Sequence, residues 1–555
     1  MIPSLWHLPD KRVQAGTNHN DYFLSNPPAT IRAEIPSDLL KKTKFKLMKS
    51  KKIISEKWLL IALFTSAISC NQVKTPSENS LAVAGTSTSP SCSCYSISSL
   101  YNVMINFNNQ VPGDLSSFSN QSQADCFAWQ EFISLNWPVN PSDSFGTPYD
   151  LAPVQWETYM PREVLFQPGG VAPPKWGTLV SDEYAARFKS QKMIFTKNNT
   201  KLLTFTSKVN STDTLIDLTV QQAAPQGKPN WLGAQNGTNV WYEIMLNEDY
   251  YNFVVKNGYY NAQTQHDSVK AGVPINFPQG VYQGTTGAIE LKAAWMEVPN
   301  PTAPQWRRYK LSTATVLDPG SNQLRTTTVA LVGLHILHKT QNQPTWVWAT
   351  FEQIDNVPGK TGSPEPPYGY NFYNSKCTAQ QVKIKTTRGD STVTVSCATN
   401  TSPPYYLMQA PPVPIQLTRT NAIDTIDAAP INTMMQKNIR QFYPNAVWQY
   451  YQLVDVIWSQ SLQPDPTSPI QAPRNLNLSS MTSGVPIVAN STLESYVQKT
   501  NTCISCHVYS TIAPYPLDTA NNNVFGDFSF AITFAKYNTA QKRLPARKVT
   551  GRKKQ

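Results

Sequence analysis

Apolar residues recur at helical spacing from Asp125, where DCFAWQEFISLNWP sets Cys126, Trp129, Ile133 and Trp137 three or four positions apart before Pro138 stops the run. This pattern predicts a buried aromatic helix. The middle of the chain changes period. LLTFTSKV (202–209), NVWYEIML (239–246), AIELKAAWMEV (288–298), WRRYKLSTATVL (306–317), TTTVALVGLHILHKT (326–340) and WVWATFEQI (346–354) are rich in the β-branched and aromatic residues of strands. Turn chemistry such as Asp318-Pro319-Gly320 punctuates them. They follow one another too closely for βαβ units, so the predicted fold class is α+β, with an antiparallel, sandwich or barrel-like core and flanking helices. A further pair, QVKIKTT and STVTVS, flanks Arg388-Gly389-Asp390 as a hairpin, and Cys377 and Cys397 sit almost symmetrically about its turn, which predicts a disulfide between them. Helical pattern returns over 432–462 and 491–500.

Composition moves this picture outside the cytoplasm. Of 555 residues 40% are hydrophobic, which excludes a disordered chain, while only 15% are charged and Asn, Gln, Thr and Ser carry the polarity instead. The net charge of +12 suggests nucleic acid until it is placed along the chain. Residues 1–57 hold 11 Lys and Arg against 5 acids, residues 536–555 hold 8 against none, and the body between them is close to neutral. No nucleic-acid partner is expected, because a binding groove needs its basic residues on the fold itself. From Met48 the chain reads MKSKKIISEKWLLIALFTSAISC, a Lys-rich start, an apolar run and small residues ending at Cys70. That is a secretory signal peptide, and its uncharged stretch is shorter than the roughly 20 residues a membrane-spanning helix needs. Residues 1–47 form an unusual extension ahead of such a signal, which points to synthesis beginning at Met48.

The strongest chemical motif is Cys503-Ile504-Ser505-Cys506-His507, a c-type haem attachment sequence. Two thiols at this spacing add to the two vinyl groups on one edge of a porphyrin, and the next residue brings an imidazole beneath the iron. With 8 Cys and 6 His in the chain, chance yields such a pentad about once in a thousand sequences of this composition. A thioredoxin-like CxxC would leave His507 unexplained, and a zinc site would need a second Cys/His pair. Cys92, Cys94 and Cys126 make an odd set, in which Cys126 can pair with either of the others. Protease, P-loop and dinucleotide signatures are missing from the sequence.

Two resemblances extend this reading. Cys70, after Ala67, Ile68 and Ser69, resembles the lipobox cysteine of bacterial lipoproteins, which implies lipidation of its thiol and a membrane anchor at the periplasm or cell surface. Phe132 to Pro138, His335 to Lys339, Trp346 to Asp355 and Thr502 to His507 together resemble the bacterial proteins known as cytochrome c family proteins, in which a large exported domain carries one late CxxCH. The resemblance implies one covalent haem c held by Cys503 and Cys506, with His507 as proximal iron ligand and electron transfer to a redox partner protein as the role. Unlike small cytochromes c, this chain has neither Met nor His in the 48 residues after His507. The sixth iron position is therefore either open, as in a haem oxidoreductase or peroxidase, or filled from upstream. His335, Met481 or another upstream Met are the candidates, and His335, three residues from His338 on a strand, is expected on the opposite face together with Leu331, Gly333 and Leu337. A small residue such as Gly333 could make room for the macrocycle. A binding protein with structural haem is a third class, hinted at by the Arg388-Gly389-Asp390 turn. The expected layout is an extension at 1–47, a signal at 48–70, a flexible tether at 71–93, a β-rich body at 94–430, a helical haem segment at 431–535 and a basic tail at 536–555.

Overall fold

The computed structural model of the chain describes residues 89–96, 102–178, 201–203, 232–317, 324–359, 364–386, 389–401, 415–459, 487–499, 503–519 and 524–538. Met48, Cys70, Arg388, Met481 and the basic tail beyond 538 lie outside them. The strands are β1 (Ser91–Cys94), β2 (Val103–Asn106), β3 (Met160–Pro161), β4 (Lys201–Leu203), β5 (Val240–Leu246), β6 (Ile289–Val298), β7 (Leu311–Leu317), β8 (Leu324–His338), β9 (Val347–Gln353), β10 (Gln380–Thr386), β11 (Gly389–Val395) and β12 (Tyr451–Ile457). The helices are α1 (Gln121–Leu135), α2 (Arg162–Leu165), α3 (Glu248–Asn257), α4 (Ala262–Lys270), α5 (Ala428–Phe442) and α6 (Cys503–His507). Among the described residues no helix is long and apolar enough to cross a membrane.

The antiparallel sheet expected from the strand runs is present, in an α+β arrangement. One eight-stranded sheet runs in the order β12-β9-β8-β6-β5-β3. The fifteen-residue β8 is its spine: β6 lies along one edge, while β7 and β9 share the other edge end to end. Among the described strands only the β4–β7 pair is parallel. Among the described residues helices and irregular segments pack on both of its faces. On one face Trp241, Leu291, Leu334, Ile336 and Phe351 meet α1 and α5. On the other, Leu246, Leu337, Trp348 and Ile457 meet α3, α4 and the segment around the pentad.

The α1 reading holds, since all but one of its fifteen residues are buried, with the Asn120 side chain capping it by accepting from Gln123 N–H. Cys94 bonds to Cys126 and Cys377 to Cys397, settling the odd set and closing the β10–β11 hairpin as expected. Three local expectations change. In the described part of 432–462 the α-helix runs only to Phe442; Pro444 follows its end, Val447–Tyr450 make a short 3-10 turn, and Tyr451–Ile457 form β12 against β9. Residues 491–499 make turns, because Asn490 draws the chain to the sheet, donating from Nδ2 to Phe351 O (2.8 Å) and accepting from Thr492 N–H (2.9 Å). Strand β1 begins at Ser91, inside the stretch read as tether, since Cys92 and Cys94 point into the core.

Candidate functional site

The pentad forms α6, a single helical turn that sets Cys503, Cys506 and His507 on one side at i, i+3 and i+4. Ile504 and Val508 point the other way, fully buried in the cluster that includes Leu337, Trp348 and Ile512, and this apolar anchorage seats the helix on the sheet. Cys503 and Cys506 are part-exposed and belong to neither disulfide, whereas His507 is buried.

Three groups fix the His507 ring. Its Nδ1 donates to the backbone carbonyl of Phe528 at 2.7 Å, which places the proton on Nδ1 and the lone pair on Nε2. The Trp348 and Phe530 rings meet the imidazole nearly edge-on, with centroids at 4.5 and 4.8 Å.

The carbonyl that orients His507 is itself held in an uncommon place. Asp527 and Phe528 both take the left-handed backbone region, at φ 52° and 62°, a conformation costing of order 1–3 kcal/mol for a residue other than glycine. The turn is tied from several sides. Asp527 Oδ2 accepts from Lys339 Nζ (2.6 Å) and from Phe277 N–H (2.7 Å), and the Lys339 and Asp527 side chains are wholly buried. Ser529 Oγ donates to Glu290 Oε2 (2.7 Å) and meets the Tyr250 hydroxyl (2.8 Å). Gly526 is required, since a Cβ there would lie 2.9 Å from Thr511 O. Lys339, at the end of β8, thus positions the imidazole through Asp527 and Phe528 without touching it.

The neighbouring His338 points to the opposite face. Its Nδ1 meets Glu131 Oε1 of α1 at 2.5 Å and its Nε2 donates to the Thr286 carbonyl at 2.5 Å. Burial alone would lower its pKa, but the Glu131 hydrogen bond and charge raise it above the ordinary 6.5.

His335 does lie opposite His338, as alternation predicts. Its surroundings differ from the expectation in two ways. A bulge opposite Ala294 and Trp295 turns Leu331 into the α1-side core with Leu334 and Ile336. The space beside Gly333 is taken by Thr492 and Asn490, whose Oγ1 and Oδ1 would lie 2.2 and 3.0 Å from an added Cβ. His335 Nε2 lies 3.2 Å from Glu494 Oε2 on that same segment, so this histidine neighbours the 490–494 turn, whereas Trp348, Phe528 and Phe530 surround His507. Met434 and Met435 serve the core beneath α1, as helix filler.

The donor set fits haem c in kind: two thiols outside the disulfides, an imidazole with its lone pair on Nε2, and an apolar bed. Among the described residues no group of three or more His, Cys, Asp or Glu side chains converges as a metal cage, so the second ligand pair of a zinc site is not found beside the pentad. Sequence reasoning missed the Phe528 carbonyl and the Asp527 tie to Lys339; the one trace was Lys339 itself, at the end of HxxHK. Compared with protein-family models, curated proteins and solved structures, the chain matches none.

Proposed function

We propose that this chain is an exported monohaem c-type cytochrome, anchored by lipid at Cys70, that carries electrons at the cell envelope to a redox partner protein. In this reading Cys503 and Cys506 form the thioethers and His507 Nε2 is the proximal ligand. The observation that carries it is the Nδ1 hydrogen bond to Phe528 O, because iron-ligating histidines characteristically donate their second ring N–H to a carbonyl or carboxylate that fixes tautomer and orientation. The two disulfides support an oxidising compartment, where this haem is attached. Bound haem would supply a one-electron iron couple. The protein's own part is to hold the imidazole at a fixed angle, to keep Nδ1 protonated through Phe528, and to exclude water with Trp348, Phe528 and Phe530.

Extraction of the purified exported protein with acidified acetone tests this: haem should stay with the polypeptide and stain on a denaturing gel. Haem lost to the solvent would reject the thioether assignment. The placement of His335 beside Glu494, on a segment other than those around His507, favours a second reading in which the sixth position is open and the protein is a haem oxidoreductase. Carbon monoxide separates the two, since an unchanged reduced spectrum supports the carrier and prompt binding supports the enzyme.

A further inference from the structure

A cleft of about 1200 Å³ opens beside α1, outside the pentad's contacts. It is bounded by the loop 106–117, by Gln123 and Gln130 of α1, by Tyr159 and Trp176, by the start of α3 and by the turn 282–286. Ten of its 28 lining residues are Asn or Gln, three are the carboxylates Asp114, Glu248 and Asp249, and none is Lys or Arg. That balance selects against phosphate, sulfate or any polyanion, which would meet carboxylates with no countercharge.

The walls are built before any ligand arrives. Gln130 grips the Asn106 backbone twice, accepting from its N–H at 2.6 Å and donating to its carbonyl at 3.0 Å. Asp114 Oδ2 accepts from Asn342 N–H, and Asp249 Oδ2 from Gly287 N–H, both at 2.8 Å. The two wall loops touch backbone to backbone, since a Cβ on Gly113 would lie 2.2 Å from Thr285 O. With these groups committed to the walls, the Asn106, Asn109 and Gln110 side chains are exposed at the cleft, and Tyr282 is 49% exposed. Trp176 is half-buried, its ring steadied by Tyr251 at 5.5 Å and Tyr159 at 6.4 Å. Burial, with the charges of Glu131 and Asp249, raises the Tyr159 hydroxyl pKa, so this group remains a donor.

We propose that the cleft binds a neutral oligosaccharide. Each sugar hydroxyl is a donor and an acceptor at once, and amides beside carboxylates supply both complements along a wall. The flat faces of Trp176 and Tyr282 suit the C–H faces of pyranose rings. A rigid, preformed wall spares the ordering cost that weakens binding of flexible chains. The volume exceeds the roughly 300–1,000 Å³ typical of sites for drug-sized ligands, which fits several linked rings rather than one. This inference stands apart from the haem reading, and a failure of either leaves the other intact.

The test is calorimetry on the full exported chain with short neutral gluco-, manno-, xylo- and chito-oligosaccharides, set against their sulfated counterparts. At least one neutral series should bind saturably and its sulfated form should not. Tyr282→Ala, a half-exposed change that leaves the core alone, and Trp176→Ala should each weaken binding about tenfold, or roughly 1.4 kcal/mol. Absence of binding in every neutral series, tighter binding of a sulfated one, or unchanged affinity in both variants would overturn the assignment.

Discussion

The two faces of the central sheet are held by different physics. On the α1 face large apolar side chains meet in bulk: Phe132 stacks on Phe351 at 4.3 Å, Trp129 meets the same ring edge-on at 5.2 Å, and Cys94–Cys126 bonds β1 to the helix. On the pentad face a five-residue helix is seated by a few aliphatic contacts, and its histidine is aimed by single polar ties between segments far apart in sequence: Lys339 with Asp527, Phe277 with Asp527, Glu290 with Ser529. Bulk burial makes a stable scaffold; point contacts make an orientation. The comparison teaches that in this molecule stability and imidazole geometry can be damaged separately.

The largest effect should come from the scaffold. Trp129→Ala removes a fully buried indole and should cost about 3–5 kcal/mol in chemical denaturation, while the His507 environment in any population that remains folded stays as it was. On the other face Lys339→Met leaves the buried Asp527 carboxylate without its cation and should cost about 3 kcal/mol. The double variant Lys339→Met with Asp527→Asn should recover most of that stability, because no buried charge is left alone and the Asn oxygen can still accept from Phe277 N–H in a left-handed backbone that Asn tolerates. It should still lose the Phe528 orientation, read as a shifted or weakened low-spin haem spectrum. A double variant with unaltered spectrum would remove Lys339 from its positioning role.

How far the sequence could foresee this follows from the same contrast. The pattern around Trp129 was visible because burial repeats with the helical period, and the strand runs were visible because β-branched and aromatic residues crowd together. The CxxCH spacing was visible because its chemistry is local. Nothing local in LVDVIW around Val454 distinguishes a strand from a helix end, and the partner strand β9, about a hundred residues upstream, decides the outcome. Gly333 was legible as a site of close approach, yet what approaches it is Thr492. Asp527 is even less readable, since its importance lies in a left-handed backbone and a lysine just past the end of β8.

A subtler difference between the faces is their response to pH. Burial raises the Asp455 carboxyl to about 7, with the charges of Asp424 and Asp427 adding and the Val456 N–H opposing, and burial with the Asp455 charge raises Asp125 beside it. Gln121 Nε2 donates to both carboxylates, at 2.8 and 3.0 Å. A carboxyl whose folded pKa exceeds its unfolded one favours the fold when protonated. The α1 face should thus be most stable below the ordinary 3.8 and lose stability as pH rises toward about 7, by at most roughly 1.4 kcal/mol per pH unit for each group. Asp455→Asn should flatten that decline in melting curves taken across the interval. The smallest effect on the core is expected from Cys377→Ser with Cys397→Ser. The closed loop contributes about 3 kcal/mol to the hairpin itself, but β10 and β11 form a sheet of their own, so local proteolysis should increase while the main melting transition stays in place.

The most direct test of the central claim is the intact mass of the exported protein, followed by mapping of the peptide that holds Cys503 and Cys506. The account predicts a chain heavier by one haem, with the added mass on that peptide and lost from the Cys503→Ala, Cys506→Ala double variant. An unmodified mass with both thiols open to alkylation would contradict it.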